Sequence, residues 1–254
     1  MEAAGLFLIA VGAGTFGALL GLGGGIILVP ALTLLFQESP KHAVAASLVA
    51  VVANSCVGVQ TFLARDQTDL PVAIRLLVPT VLGAIVGARL GTVFPADWVA
   101  GLFIGLILYV TAQLLLQKPS TSHEEANAPL PTTAFRKRVG LCLSFLAGVI
   151  SALLGVGGGI LQVPVLHLMW GTPLWGAVAT SNFLLGPTGT TSALLYFASG
   201  LLKPDLAVPC ALGVMVGAQI GARLSLHLPL NLIRWLFSAV MLYTAWSMFK
   251  RWFL

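Results

Sequence analysis

The chain has 254 residues, of which 58% are hydrophobic and 8% charged, and its mean hydropathy is +0.99. A soluble domain carries about 25% charged residues, so too few polar side chains remain to cover a water-facing surface, and a soluble globular fold is excluded. The net charge of +5 is scattered, and its largest cluster, Arg136, Lys137 and Arg138, reads as the positive-inside signal of a cytoplasmic loop and not as nucleic-acid recognition.

The apolar runs are long and unbroken, unlike the short alternating strands of an outer-membrane barrel. The expectation is an all-α integral membrane protein, multi-pass in the cell (inner) membrane. The N-terminus, Met1-Glu2-Ala-Ala-Gly-Leu, lacks the basic region of a signal peptide and reads as the start of a real helix.

The first apolar segment, about 5–36, is too long for one simple span of ~20 residues. It contains Gly21-Leu-Gly-Gly-Gly-Ile-Ile-Leu-Val-Pro-Ala-Leu32. So many glycines and a proline predict a broken helix, which a membrane tolerates only where protein buries it or it lines a polar cavity. Gly21, Gly23, Gly24 and Gly25 free the backbone. A helix beginning at Ile26 would then present a positive dipole end and orphan N–H donors to an anion. Pro30 lies one turn in. The segment admits a broken crossing, a re-entrant hairpin or two short spans.

The second segment, 41–64, puts Ser47, Asn54, Gly58 and Thr61 on one helical face. Such a stripe either lines an aqueous path or bonds helices together. The third, 71–92, carries Gly83, Gly87 and Gly91, a small-residue pattern that suits close helix packing. Arg89 near its end either snorkels to the interface or helps form a charged mouth that draws anions. The fourth segment covers 96–116. Residues 1–117 form one transmembrane repeat, and 118–135 a polar linker.

Residues 136–254 repeat the first half without a gap. Gly155-Val-Gly-Gly-Gly-Ile-Leu-Gln-Val-Pro-Val-Leu166 starts 134 residues after Gly21, and the same offset brings Ser47 onto Ser181, Gly83 onto Gly217 and Arg89 onto Arg223. Gly155, Gly157, Gly158, Gly159, Gln162 and Pro164 make the second break, with a helix expected at Ile160. Thr180, Ser181, Asn182 and Thr188 follow on the next segment, where Pro187 is expected to interrupt the helix. His167 is titratable, and its counterpart is Thr33; a structural role is the plainer reading. The two repeats would hold about four to five transmembrane helices each. An inverted arrangement is favoured, because it brings the two breaks together from opposite faces.

Gly12-Ala-Gly14-Thr-Phe-Gly17 spells GxGxxG, but a dinucleotide fold needs a strand before it and a soluble βαβ unit. The cysteines at 56, 142 and 210 stand singly and read as small buried hydrophobes. No metal or cofactor is expected. Every carboxylate falls at or near a segment end, whereas cation carriers and proton relays place them at mid-membrane, so the substrate should be anionic or neutral.

The paired GLGGGxxxVP and GVGGGxxxVP motifs, with the following Ala-Ser and Thr-Ser and the Gly-Ala-Arg-Leu pair, resemble the sulfite exporter TauE/SafE family. The resemblance covers essentially the whole chain. It implies a small duplicated permease moving sulfite, sulfonates or sulfoacetate, often outward. The candidate binding residues are Gly21, Gly23, Gly24, Gly25, Pro30, Ser47, Asn54, Gly155, Gly157, Gly158, Gly159, Gln162, Pro164, Thr180, Ser181, Asn182 and Thr188, with Arg89 and Arg223 for passage or gating. The expected partners are a small anion and the lipid bilayer. A coupling proton or sodium and a homo-oligomer remain open. The competing readings are a passive channel for small solutes and, far behind, an intramembrane enzyme.

Overall fold

The computed structural model describes residues 2–20, 23–63, 67–116, 133–224 and 230–253. These fold into α1 (Glu2–Leu20), α2 (Gly25–Leu35), α3 (Pro40–Leu63), α4 (Leu70–Val93) and α5 (Ala96–Leu116), followed by α6 (Ala134–Leu154), α7 (Gly159–Trp170), α8 (Leu174–Ala198), α9 (Pro204–Leu224) and α10 (Leu230–Phe253). Among the described residues, α3, α4, α5, α6 and α9 each contain a stretch long and apolar enough to cross a membrane. The expected segments are all present. α4 starts where Asp69 accepts from the Val72 amide with Pro71 in the first turn, and α6 starts at the Thr133 cap.

Each long first segment proves to be a helical hairpin. A Cβ placed on Gly17 would collide with the Gly24 backbone, and one on Gly5 would stand 3.6 Å from the Phe36 ring. Late α1 therefore faces early α2, and early α1 faces the end of α2, so the chain has reversed. The second half does the same: Gly158 lies against Ser151, Gln162 Nε2 donates to Ser144 Oγ at 3.0 Å, and Gly140 lies against Trp170. At 1.5 Å per residue, α2 is about 16 Å long, half of a ~30 Å hydrocarbon core. The reversal excludes the single broken crossing and leaves the re-entrant hairpin and the two short spans.

Glycine contacts also give the helix directions. Gly83, Gly87 and Gly91 of α4 meet Phe145, Val149 and Leu153 of α6 in ascending order, so these helices run parallel. Gly213, Gly217 and Gly221 of α9 meet Phe7, Val11 and Thr15 of α1 in the same sense. In contrast, α3 and α8 run antiparallel at the centre: Gly189 lies against Leu48 and Val52, and the Asn182 carbonyl accepts from Ser55 Oγ at 2.6 Å. These small-residue ridges account for the glycines of α4 and α9 as close-packing residues.

The bundle has two ends. At one, Lys203 before α9 pairs with Glu38 between α2 and α3, and Lys41 Nζ donates to the Thr92 carbonyl at 2.7 Å. At the other, the Asp69 amide donates to Thr180 Oγ1 at 3.0 Å. Two expectations need correction. α8 is continuous through Pro187, where the missing N–H removes one helical bond and packing on α3 and α4 offsets it. Cys56 and Cys142 are exposed on the outside of the bundle, and only Cys210 is buried.

Candidate functional site

The two glycine breaks meet. A Cβ on Gly25 would collide with the Gly155 carbonyl oxygen and stand 3.2 Å from Val156 Cα. The meeting point lies beside Val51, near the midpoint of α3. Glycine is needed there for conformation as well as space: Gly23 and Gly24 have φ of 76° and 77°, and Gly155, Gly157 and Gly158 have φ of 70°, 75° and 47°. Side chains rarely adopt these left-handed angles. Gly21 lies outside the described residues.

α2 begins at Gly25 and α7 at Gly159, one residue earlier than expected, after left-handed Gly24 and Gly158. No side chain caps either start. Each first turn therefore leaves its N–H donors without a side-chain cap, while the Gly155 carbonyl, at the C-terminal end of α6, stands at the junction against Gly25. Pro30 is buried in α2 and Pro164 partly buried in α7. Each lacks an N–H one turn in, leaving the carbonyls of Ile26 and Ile160 without their helical donors.

The polar residues divide into three groups. Ser47 Oγ donates to the Gly155 carbonyl at 2.8 Å as well as to Val44, and so ties α3 to the second break. Asn54, Asn182 and Gln162 are all at least 97% buried, and the side-chain oxygen of each lacks a partner. Asn182 fits because Gly58 has no side chain; a Cβ there would stand 2.7 Å from Asn182 Oδ1. The remaining hydroxyls turn back to their own helix: Ser181 to Val178, Thr188 to Leu184, Ser192 to Thr188. Thr180 is occupied in holding the α3–α4 connection.

Arg89 and Arg223 are exposed near the ends of α4 and α9, and no described contact joins either to the breaks. His167 Nδ1 lies 2.8 Å from the Thr172 carbonyl at the end of α7, where it holds a turn. The GxGxxG run is inside α1, with Gly14 packed on Val214 of α9.

Sequence reasoning missed four residues. Ser144 partners Gln162, and Ser55 ties α3 to α8. Val51 and Leu185 fill the space between the breaks. Ser55 stands next to Asn54, so the stripe hinted at it. The Ser144–Gln162 pair needed the hairpin reversal, which hydropathy does not encode.

Helices long and apolar enough to cross the bilayer, with glycine-broken hairpins meeting inside the bundle, define a polytopic membrane protein of the transporter class. The chain belongs to the sulfite exporter TauE/SafE family, whose pattern matches residues 6–248. It is similar to "Probable membrane transporter protein YunE" of Bacillus subtilis (strain 168), with 28% identity over 207 residues, 74% of this chain and 76% of that protein. A "Probable membrane transporter protein" of Xylella fastidiosa (strain 9a5c) is 26% identical over 201 residues, 78% of this chain and 76% of that protein. "Probable membrane transporter protein MamO" of Paramagnetospirillum magneticum is 26% identical across 93% of this chain, which corresponds to 43% of that longer protein. No solved structure matches. The protein is a multi-pass membrane transporter of this family.

Proposed function

We propose that the protein is a secondary transporter that exports a small sulfur-containing oxyanion, sulfite- or sulfonate-like, across the cell membrane. The observation that carries this reading is that the two glycine breaks meet, Gly25 on the Gly155 carbonyl, with the uncapped starts of α2 and α7 each following its break. Each start carries about half a positive charge, and two together favour an anion without a buried Lys or Arg. The described carboxylates Glu38, Asp69, Asp97 and Asp205 stand in connections or at helix starts, so none opposes an anion there.

In this reading the break amides hold the oxyanion. Ser47, Asn54, Ser181, Asn182, Thr188 and Gln162 supply hydrogen bonds as it moves. The carboxamides of Asn54, Asn182 and Gln162 would serve the anion through their N–H donors, since their buried oxygens only accept and cannot bond an oxyanion. Thr180 acts by holding the α3–α4 connection against α8, and Arg89 and Arg223 act at the mouths. The antiparallel crossing of α3 and α8, with α1 on α9 and α4 on α6, supports an inverted repeat of residues 1–117 and 136–254. Sulfur chemistry and outward direction come from the family description.

The test is flux in proteoliposomes with sulfite, an alkyl sulfonate and a matched carboxylate. Saturable transport of a sulfur oxyanion is expected, and Gly158→Val should abolish it while the protein remains monodisperse. Carboxylate flux without sulfite or sulfonate flux would refute the substrate class. Undiminished sulfur-oxyanion flux by folded Gly158→Val would refute the site.

A further inference from the structure

The polar faces of α3 and α8 are each interrupted once at the level of the breaks. On α3, Ser47 lies four residues before Val51, and Asn54 and Ser55 three and four after it. On α8, Ser181 and Asn182 lie four and three before Leu185, and Thr188 three after it. Val51 and Leu185 are themselves 134 residues apart, equivalent points of the two halves.

Both side chains project between the breaks. A Cβ on Gly23 would stand 3.6 Å from Val51 Cγ1 and Cγ2 and 3.4 Å from Leu185 Cδ1. One on Gly25 would stand 3.1 Å from Val51 Cγ2, and one on Gly157 2.5 Å from Val51 Cγ1. Leu185 Cδ2 reaches within 3.8 Å of the same point on Gly158. Val51 is fully buried and Leu185 2% exposed. Ordinary core residues are flanked along their own face by more core. Leu185 is flanked by Ser181, Asn182 and Thr188, and Val51 by Ser47, Asn54 and Ser55 beside the buried Leu48; the buried oxygens of Asn54 and Asn182 have no partner.

We propose that Val51 and Leu185 form a dry aliphatic gate, which keeps a small anion off the break amides until the two hairpins part. The proposal rests on the reading that the breaks are the anion's path. An apolar constriction resists an ion by excluding the water that solvates it. Both residues must therefore move aside together, and their matched positions let one motion of α3 against α8 do so from either face.

The test uses the full chain in proteoliposomes with nitrate, a small anion that needs no sulfur recognition. Downhill nitrate flux through Val51→Ala and Leu185→Ala should exceed that of the parent chain on the order of tenfold, about what one aliphatic side chain's burial represents. Val51→Thr keeps the shape and adds a hydroxyl, so a wetted gate leaks in this variant too, whereas a purely packing role lowers stability without a leak. Elution profile and thermal melting establish which variants fold. Parent-level nitrate flux in any folded variant overturns the gate, as does failure of all three to fold, which would mark the pair as core. If the parent moves no sulfite or sulfonate, the substrate reading falls while the nitrate leak still reports on the gate.

Discussion

Gly155 cannot accept a side chain for two separate reasons. Its φ is +70°, and a Cβ would stand 3.0 Å from the Val44 backbone and collide with Ser47 Oγ. A non-glycine residue in left-handed backbone costs about 1–3 kcal/mol, and the collision adds to that. Gly155→Ala should therefore lower the melting temperature in detergent and abolish flux. Gly12→Ala, a helical position with open space around it, should gain roughly 0.5–1 kcal/mol from helix propensity. A second residue-scale contrast lies in the hairpins. Ser144 and Gln162 pair in the second, while the equivalent positions of the first are Ala10 and Leu28. Replacing both polar partners by apolar residues is often neutral or stabilising. The Ser144→Ala/Gln162→Leu protein should melt no lower than the parent chain, yet carry its anion more slowly if Gln162 serves transport. A melt and a flux assay on the same preparation separate the two roles. The glycines were legible in the sequence because two matched clusters are hard to explain by packing alone. Val51 and Leu185 were not, because a valine and a leucine in an apolar helix look like every other one.

At the scale of elements, hydropathy placed each segment to within a few residues, and the gap-free offset made the two halves equivalent. It left the long first segment of each half undecided, because length and apolarity do not record direction. The reversal becomes visible only through contacts such as Gly17 on Gly24 and Gly158 on Ser151. The glycine ridges bind these hairpins to the other half. Gly87 would drive a Cβ into Val149 of α6, and Gly217 into Val11 of α1. Overpacking costs typically 1–3 kcal/mol, and here it acts between backbones that cannot yield like a side chain. Gly87→Val should sharply reduce the yield of monodisperse protein, read by size-exclusion elution. The same substitution at exposed Gly105, with nothing within 4 Å, should be tolerated.

The whole molecule carries unequal ends. The positive-inside rule puts Arg136–Arg138 on the cytoplasmic side, and applied to Lys250 and Arg251 it would put the end of α10 there as well. The helix directions put the start of α6 at the end opposite Glu38 and Lys203, and α10 runs back toward those two, so both cannot hold. At the Glu38 end, Lys203 Nζ lies 3.1 and 2.8 Å from the two carboxylate oxygens, and His42 Nδ1 lies 3.2 Å from one of them. These contacts join the α2–α3 connection, at the foot of the first hairpin, to the α8–α9 connection. The equivalent positions at the other end are Thr172 and Asp69, which lack such a pair. Burial pushes the Glu38 carboxyl up, but hydrogen bonds and charge from Lys203 and His42 outweigh it, so the group sits below its ordinary value of 4.5. A carboxylate lowered on folding adds stability that is complete above the unfolded value and lost as pH falls through the folded one. The tie should therefore be intact from neutral pH down to 4.5 and weaken only below it. Its contribution should not exceed about 1 kcal/mol, as for other partly exposed pairs. Thermal melting of the parent chain and of Glu38→Gln across that range checks this: the two curves should differ near neutrality and converge in acid. A difference that persists in acid would mean that Glu38 acts through packing and not through its charge.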